Sequence, residues 1–393
     1  MQRQLRLLAA ILLGTIMTST NLPAREPDVK SDAEKWHVYI GTYTGTSAKS
    51  KGIYRFDLTT KTGKLGQAEL VAEIKSPSFL EIHPNGKTLY AAGEIGDFEG
   101  GKGGAISALA IDRKTGKLKL LNQKSSVGGG PCHVSVDPTG QCVMAANYGG
   151  GSVISLPLNK DGSVGTGGTF VQHTGSSVND GRQKEPHAHS INTDKTGKFA
   201  LAADLGVDRV FIYKLNATEG TMVANDPPSV KSHAGAGPRH LTVHPSNKLA
   251  FVNNELDSSV TSYAFDAEKG TLTPLDTQST LPVGSKVGNS TAEVQVHPNG
   301  RFVYVSNRGD DSLAIFSVDT ATGKLTPIGH QKTGGQTPRN FTIHPSGEYL
   351  LAANQTSDTV VLFKVDPKTG LLTETDQIVQ VPAPVCIRYL AAE

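Results

Sequence analysis

Polar and apolar residues alternate over short stretches of this chain, and each stretch is broken by a turn and then resumed. In one copy the alternation runs over 293–296, stops at the turn from His297 to Gly300, and resumes over 301–306. The sequence of that turn, His-Pro-Asn-Gly, suits the fixed φ of proline and the positive φ that asparagine and glycine accept. The pattern therefore predicts hairpins made of two short strands.

This hairpin recurs along the chain at a spacing of about fifty residues, which is the signature of a repeat architecture. Its six copies begin at Pro77, Pro131, Pro186, Pro238, Thr291 and Pro338. A third strand follows each hairpin, as in 312–318, and a second turn then leads into a weaker fourth strand. Four short strands in a repeat of this length are typical of a β-propeller blade.

The turns also predict how the ring closes. The second turn occurs seven times, around Gly63, Gly116, Gly162, Gly220, Gly270, Gly323 and Gly370. The first unit, 36–65, lacks an innermost strand, and a matching strand stands alone at 384–390. We therefore predict an all-β fold, a seven-bladed β-propeller of four-stranded antiparallel blades whose ring is closed by a C-terminal innermost strand. Closure removes sheet edges that would otherwise pair with other chains.

The first residues predict a separate targeting segment. Arg3 and Arg6 precede an apolar run over 7–17, which is typical of a secretory signal and too short to span a bilayer. We interpret 1–24 as a signal peptide, 25–35 as a linker and 36–393 as the propeller domain. The expected location is therefore periplasmic or secreted.

Composition narrows the range of partners. The chain has 38 basic and 36 acidic residues, and removal of Arg3 and Arg6 with the leader leaves 36 of each. A neutral chain without a basic run predicts no nucleic-acid partner and no membrane partner. The cysteines, three in number, argue against a disulfide framework. A closed ring needs no second copy, so we expect a monomer.

Candidate chemistry is expected at one end of the inner strands. Antiparallel pairing brings the start of each first strand and the end of each second strand to the same face of the disc. Polar residues that recur from blade to blade are interpreted as structural, including the histidines of the His-Pro turns on the opposite face. The asparagines that recur at the ends of second strands are interpreted as backbone caps: Asn147, Asn254, Asn307 and Asn354.

Polar residues found in single blades are the better functional candidates. On or beside first strands these are His187, His189, Arg239, His240, Glu293, Arg339 and Asn340. Asp204 and Arg308 follow second strands, and a polar loop over 173–186 adds Arg182 and Gln183. The arginines favour an anionic small molecule, because guanidinium pairs bidentately with phosphate or carboxylate.

A metal site is an alternative interpretation of the same residues. His187 and His189 are two apart on a predicted strand, so both point to one side and are able to share a metal. The nearby arginines repel a cation, and we therefore predict no metal and no cofactor. A calcium site of carboxylates and amides stays open as an alternative that a chelator tests, with the candidate ligands Glu94, Asn147, Asp204 and Asn254.

Several of these segments together resemble the seven-bladed lactonase family. They are Pro-His-Ala-His-Ser at 186–190, Gly-Pro-Arg-His at 237–240, the Arg182-Gln183 pair, and Ser-Asn-Arg at 306–308. The family includes bacterial 6-phosphogluconolactonases of the propeller type and the fungal 3-carboxymuconate lactonising enzyme. The resemblance covers essentially the whole chain after the leader. It implies a cofactor-free site of histidine and arginine side chains in the central funnel.

The resemblance implies a hydrolase for a small anionic lactone, first of all 6-phospho-D-glucono-1,5-lactone. The catalytic candidates are His187, His189, Arg239, His240 and Glu293. The substrate-binding candidates are Arg182, Gln183, Asp204, Arg308, Arg339 and Asn340. In this hypothesis His187 or His189 takes a proton from water, and Arg239 stabilises the oxyanion. A cycloisomerase of the carboxymuconate type and a binding propeller without activity remain open as alternatives.

Overall fold

The described residues form a ring of β-sheets. The computed structural model describes residues 33–45 and 49–393, and these form 29 strands arranged in seven antiparallel sheets. The predicted seven-bladed all-β propeller is confirmed. Short 3₁₀ helices occur only at Phe98–Gly100 and Leu205–Val207 among the described residues.

Each blade consists of strands that follow one another along the chain, apart from the innermost strand of blade 1. Blade 1 contains β1 (Lys35–Thr42), β2 (Gly52–Thr59), β3 (Lys64–Leu65), β4 (Glu69–Glu73) and the last strand, β29 (Pro384–Ala391). Blade 2 contains β5 (Pro77–Ile82), β6 (Thr88–Gly93), β7 (Ala105–Ile111) and β8 (Leu118–Ser125). Blade 3 contains β9 (Pro131–Val136), β10 (Cys142–Asn147), β11 (Ser152–Pro157) and β12 (Thr169–Gln172). Blade 4 contains β13 (Ala188–Thr193), β14 (Phe199–Asp204), β15 (Arg209–Asn216) and β16 (Thr221–Lys231).

The remaining blades follow the same order from the axis outward. Blade 5 contains β17 (Pro238–Val243), β18 (Leu249–Asn254), β19 (Ser259–Asp266) and β20 (Thr271–Ser279). Blade 6 contains β21 (Ser290–Val296), β22 (Phe302–Arg308), β23 (Ser312–Val318) and β24 (Leu325–Lys332). Blade 7 contains β25 (Pro338–Ile343), β26 (Tyr349–Asn354), β27 (Thr359–Val365) and β28 (Leu372–Gln380).

The C-terminal strand closes the ring as predicted. β29 pairs with β1 in antiparallel register, with His37 opposite Leu390 and Ile40 opposite Ile387. It is therefore the innermost strand of blade 1, although it is last in sequence. The fourth position of that blade is shared by β3 and β4, which both pair with β2.

The recurring histidines of the His-Pro turns join neighbouring blades. The Nε2 atoms of His83, His244 and His297 lie 2.9, 2.8 and 2.9 Å from glycine carbonyl oxygens in the next blade's turn. These bonds confirm that the turn histidines are structural. His344 departs from the pattern, because the next inner strand, β29, is not joined to its partner β1 by a turn; the Nε2 atom of His344 has no hydrogen-bond partner among the described residues.

Three of the four recurring asparagines cap the backbone, as predicted. The side-chain amides of Asn147, Asn307 and Asn354 donate to carbonyl oxygens at the outer edge of the preceding segment, at 3.1, 2.9 and 3.0 Å. Asn254 donates instead to the hydroxyls of Ser259 and Thr261. All four side chains are fully buried, so none is placed to contact a ligand.

The predicted signal peptide, 1–24, and most of the predicted linker lie outside the described residues. β1 begins at Lys35, so the propeller starts where the sequence analysis ended the linker. Within the described part of the chain, no helix is both long and apolar enough to cross a membrane. The three cysteines are buried and unpaired, in keeping with their odd number.

Candidate active site

A β-bulge interrupts the innermost strand of every blade at the same place. In β17, Pro238 pairs with Asn254 and His240 pairs with Asn253, so Arg239 between them has no partner in the ladder. The same shift occurs in five other inner strands, and in β21 both Ala292 and Glu293 lie between the paired residues Thr291 and Val294. A bulge leaves one residue unpaired and re-aims its side chain. We call these residues the bulge layer: Ser78, Cys132, His189, Arg239, Ala292, Arg339 and Val385.

The bulge layer surrounds a pocket on the axis of the ring. Six of its seven members line that pocket, Ala292 being the exception. Tyr43, Phe79, Glu94 and His240 complete the wall. The shared bulge therefore brings side chains from separate blades, far apart in sequence, around one small volume.

The residues that directly follow the bulge form a second ring, deeper in the channel than the bulge layer. In this ring His240 contacts Glu293. His240 Nδ1 lies 3.2 Å from Glu293 Oε1, and the Asn340 amide donates to the other oxygen of the same carboxylate. Asn340 is held in turn by the backbone N–H of Ile387, 2.9 Å from its Oδ1. Burial raises the pKa of Glu293 to about 7, against the opposing effect of Arg388 and Arg239.

Three buried imidazoles line the channel, and burial favours their neutral form. His240 lies between His133 and His189, with ring centroids 5.4 and 5.3 Å away. Burial is the largest cause that lowers the pKa of each ring, and neighbouring cationic side chains add to it. Arg239 is the charged neighbour that lowers the pKa of His189 most. A neutral imidazole keeps a lone pair, so each is able to accept a proton.

Glu255 anchors three arginines at the pocket. Its carboxylate oxygens lie 2.8 Å from Arg182 Nη2, 2.9 Å from Arg239 Nε and 3.0 Å from Arg308 Nη2. Burial alone raises the pKa of Glu255, but Arg308, Arg239 and Arg182 outweigh it and lower that pKa to about 2. The carboxylate therefore stays ionised and fixes the guanidinium groups in place.

Arg239 and Arg308 are further held by the backbone of blade 6. Arg239 donates to the carbonyl oxygen of Ala292, and Arg308 donates to that of Thr291 at 2.8 Å. Arg308 Nε is buried and has no hydrogen-bond partner among the described residues. Burial lowers the pKa of Arg308 to about 9, and the charge of Arg239 contributes to that shift.

Arg339 is the least engaged guanidinium in the pocket. Its Nη2 donates to the Tyr43 hydroxyl at 2.9 Å, and its guanidinium carbon lies 5.2 Å from the centre of the Tyr43 ring. The Tyr43 hydroxyl donates in turn to Glu94 Oε2 at 2.9 Å. Only one hydrogen bond to the described residues is made by the Arg339 guanidinium, so most of its donors are available for an anion.

His187 is placed differently from the sequence expectation. In blade 4, Ala188 pairs with Asp204 and so takes the place that the repeat proline has elsewhere. His187 therefore precedes the strand, and its ring stacks on Tyr148 at 4.6 Å while Nδ1 contacts the Tyr148 carbonyl oxygen at 3.0 Å. The bulge at His189 also removes the simple alternation that would have put both histidines on one side.

The loop over 173–186 reaches the pocket through one residue. Arg182 contacts Glu255 and, at 3.0 Å, the Tyr148 hydroxyl, and its side chain is 42% exposed. Gln183, by contrast, is fully buried and binds the Leu205 carbonyl and Asp208. Arg182 thus lies beside Glu255 and Tyr148, and its role in covering a ligand stays a prediction, whereas Gln183 shapes the loop itself.

Asp204 is also a structural residue in this arrangement. Its fully buried carboxylate accepts bonds from His173 Nδ1 at 2.6 Å and from the backbone N–H groups of His187 and Gly206 at 2.8 and 2.9 Å. These bonds occupy the acceptors that a substrate would need. The placements of Gln183 and Asp204 correct the expectation that they contact substrate, because a buried and bonded polar group has no free valence for a ligand.

Most of the residues that rim the pocket were not chosen as site candidates from the sequence. Tyr43, Glu94, Tyr148, Glu255 and Arg308 each lie one residue past the position where the caps recur, at the end of a second strand. Only Arg308 was a candidate for substrate binding, and Glu94 was considered only as a calcium ligand. The available signal was positional: each of these five residues directly follows the position where the caps recur, whatever its type.

The pocket is small in this structure. Its volume of about 10 Å³ suits a single water molecule. A sugar-sized ligand therefore requires the long side chains at its mouth to swing outward. Among the described residues, no cluster of three or more histidine, cysteine, aspartate and glutamate side chains is arranged to hold a metal.

Comparison with known proteins identifies the family. The model of the family described as lactonase, 7-bladed beta-propeller, matches residues 37–389. A 6-phosphogluconolactonase of Bacillus subtilis is 35% identical over 356 residues, covering 91% of this chain and 99% of the relative. A 6-phosphogluconolactonase of Pectobacterium carotovorum is 35% identical over 282 residues, covering 71% of this chain and 78% of the relative.

A solved structure agrees in both fold and sequence. The periplasmic gluconolactonase of Pseudomonas aeruginosa superimposes with a TM-score of 0.85 at 32% identity, covering 91% of this chain and 100% of that chain. The agreement extends over the full ring rather than over a few blades. The chain therefore belongs to the lactonase family of seven-bladed β-propellers, a family of hydrolases.

Proposed function

We propose that this chain hydrolyses a sugar δ-lactone to the free acid, with 6-phospho-D-glucono-1,5-lactone as the first candidate. One observation carries the proposal: the bulge layer brings His189, Arg239 and Arg339 around a single pocket. A neutral base beside two guanidinium groups suits water attack on the carbonyl of an anionic ester. The names of the relatives from Bacillus and Pectobacterium support the same substrate.

His189 is the proposed base. It lines the pocket, and its Nδ1 lies 3.5 Å from Cys132 Sγ while its Nε2 lies 3.9 Å from Glu255 Oε2. Water oxygen bonds to the lactone carbonyl carbon as His189 takes the proton. The bond from that carbon to the ring oxygen then breaks, and His189 returns the proton to the departing oxygen. One water is consumed, and no oxidant or reductant takes part.

Arg239 is the proposed stabiliser of the oxyanion. Its side chain is 2% exposed and is held by Glu255 and by the Ala292 carbonyl, so its orientation is set before substrate arrives. Fixed donors aimed at developing charge are usually the largest single contribution to catalysis. The His240–Glu293–Asn340 chain lies directly below and positions the imidazole against Arg239, whose Nη1 is 3.2 Å from His240 Nε2.

Arg339 is the proposed partner of the substrate anion, because most of its donors are uncommitted. Unphosphorylated gluconolactone is a second candidate, favoured by Glu255, which already neutralises part of the charge of Arg182, Arg239 and Arg308. The periplasmic location given for the Pseudomonas gluconolactonase fits the predicted signal peptide. We therefore propose an exported enzyme, and we keep the expectation of a monomer without cofactor.

The test is hydrolysis of both lactones by the chain after removal of 1–24, corrected for the spontaneous rate and run with and without EDTA. A rate above background that is unchanged by EDTA supports the proposal, and the preferred lactone identifies the substrate. Loss of the rate in EDTA contradicts the metal-free mechanism. No rate on either lactone contradicts the proposed reaction and leaves a cycloisomerase or a binding propeller.

A further inference from the structure

Blade 2 lines the active-site pocket with different chemistry from the blades across the ring. The arginines and histidines of the lining come from blades 4, 5 and 7: His189, Arg239, His240 and Arg339. Blade 2 supplies a hydroxyl, a phenyl ring and a carboxylate, which we call the blade 2 wall: Ser78, Phe79 and Glu94. In a closed ring of seven blades, blade 2 lies three places from blade 5, as far apart as two blades are. The pocket therefore has a cationic side and, opposite it, the blade 2 wall.

The hairpin of β5 and β6 positions the polar groups of this wall. Pro77 pairs with Gly93, so Ser78 and Glu94 flank that pair on its two sides. The backbone N–H of Glu94 donates to the Ser76 carbonyl oxygen at 2.9 Å, which extends the hairpin by one bond. Both polar residues are therefore held by the end of a regular sheet, close to the bulge that re-aims Ser78.

Glu94 is less engaged than the other two carboxylates at the site. Glu255 contacts three arginines, and Glu293 contacts an imidazole and an amide. Glu94 is half-buried, accepts the Tyr43 hydroxyl on Oε2 at 2.9 Å, and forms no other side-chain hydrogen bond and no ion pair among the described residues. A carboxylate has about four acceptor sites and no donor when ionised. Most of the Glu94 acceptors are therefore available to the donors of a ligand.

Ser78 and Phe79 complete the wall. The Ser78 side chain is buried, and its hydroxyl has no hydrogen-bond partner among the described residues. Buried polar groups normally have a partner, and a hydroxyl both donates and accepts. The Phe79 ring adds apolar surface, with its centroid 5.5 Å from that of the His240 ring on the cationic side. An aromatic surface beside a carboxylate and a hydroxyl suits the C–H and O–H groups of a sugar ring.

We propose that the blade 2 wall binds the ring hydroxyls of the substrate, and that Glu94 determines the preference for a polyhydroxylated lactone over a bare one. This inference rests on the lactone hydrolysis proposed for the same pocket. With the carbonyl at Arg239, the far side of the six-membered ring points toward blade 2, and its hydroxyls donate to Glu94. A site built to hydrogen-bond hydroxyls rejects analogues that lack them, because its own polar groups are then left without partners.

The test compares two lactones with the same ring. One is D-glucono-1,5-lactone or its 6-phosphate, whichever the chain prefers, and the other is δ-valerolactone, which has no hydroxyl. The measurement is the ratio of their kcat/KM values, corrected for spontaneous hydrolysis. Glu94→Ala should lower this ratio by roughly 10–100-fold, because a charged acceptor for the hydroxyls is lost. Asp97→Ala, an exposed carboxylate in the same connection and outside the pocket lining, is the matched control and should leave the ratio unchanged.

An unchanged ratio in Glu94→Ala overturns the proposal. Equal losses on both lactones overturn it as well, since they would assign Glu94 to the reaction at the carbonyl or to the fold. Glu94→Gln, which keeps the size and one acceptor, separates these roles: its ratio should lie between those of Glu94→Ala and the parent chain.

A binding measurement separates this inference from the proposed reaction. If either lactone gives no rate above background, the probe is 1,5-anhydro-D-glucitol, which has the ring hydroxyls and no carbonyl. Calorimetry should show saturable binding that Glu94→Ala weakens by roughly tenfold and that Asp97→Ala leaves unchanged. Absence of binding, or equal affinity in Glu94→Ala and the parent chain, overturns the recognition of hydroxyls. Binding that depends on Glu94 without any hydrolysis contradicts the proposed reaction and supports the wall.

Discussion

The two ends of the inner strands carry histidines with opposite roles. At the turn end, His83, His244 and His297 recur in sequence, and each bonds to a glycine carbonyl of the next blade. At the funnel end, His189 is the one histidine of the bulge layer, His240 shares its position with His133 of blade 3, and both His189 and His240 line the pocket. In a repeat protein, a residue recurs when every blade uses it for the same contact with its neighbour. A catalytic site instead needs different side chains brought together at one place. A departure from the repeat is therefore the better guide to function.

A large effect on catalysis is expected from removing a charge at the funnel end. Arg239→Ala should lower kcat/KM for lactone hydrolysis by roughly 10²–10³-fold, because it deletes the donor aimed at the oxyanion. The measurement is initial rate against substrate concentration, with folding checked by circular dichroism. Arg301→Ala, an exposed arginine at the turn end, is the control. If both variants keep the parent kcat/KM, the oxyanion role of Arg239 is wrong.

Arg339→Ala should act on binding rather than on turnover. We expect KM for 6-phosphogluconolactone to rise roughly 30-fold with little change in kcat, since a charged hydrogen bond to the substrate anion is lost. The unphosphorylated lactone is the internal control, and its KM should change much less. A fall in kcat with unchanged KM would instead assign Arg339 to the reacting centre.

Glu293 should make stability depend on pH. Its pKa is raised from 4.5 to about 7 in the folded chain, so the folded state binds the extra proton between these values. The contribution of Glu293 to stability then falls as pH rises from about 4.5 to 7, by up to about 3 kcal/mol, whereas the lowered pKa values of the buried histidines make their own contribution rise over the same range. In urea unfolding, the stability of Glu293→Gln should therefore rise more steeply with pH than that of the parent chain, whereas Glu268→Gln, at an exposed site, should follow the parent chain. The same slope in all three proteins would contradict the raised pKa.

Substitutions at the turn end should change the stability of the fold and leave the activity unchanged. His297→Ala removes the bond from Nε2 to the Gly347 carbonyl and the contact from the Asn299 N–H to Nδ1. We expect unfolding free energy to fall by about 1–3 kcal/mol, because a buried acceptor loses its partner. The kcat/KM of the folded variant should be unchanged. Loss of activity without loss of stability would show that the comparison between the two ends is wrong.

The sequence predicted the ring well and the site only in part. Repeat spacing was enough for seven blades and for closure by 384–390, because each blade has the same turns and the same alternation. The funnel-end position of His189, Arg239 and Arg339 followed from that topology. The bulge could not be predicted from the topology, because an extra unpaired residue changes neither the composition nor the visible alternation of the strand. For this reason His187 was set beside His189, although Ala188 takes the proline's place.

Contacts between residues far apart in sequence were the second feature that the sequence did not predict. From the sequence, Asp204 was expected to contact the ligand. In the structure its carboxylate oxygens accept hydrogen bonds from His173 and from two backbone N–H groups. Glu255 was not chosen as a site candidate, although its carboxylate contacts three arginines from three different segments. Polar contacts between separate blades depend on side-chain reach and burial, which a single strand pattern does not contain.

One pair of substitutions tests the central claim that chemistry lies at the funnel end and structure at the turn end. The measurement is kcat for lactone hydrolysis by His189→Gln and His297→Gln, side by side, under conditions where both are folded. The account predicts a loss of roughly 10²–10⁴-fold for His189→Gln, the size of general-base catalysis, and none for His297→Gln. Equal kcat values for the two variants would contradict it.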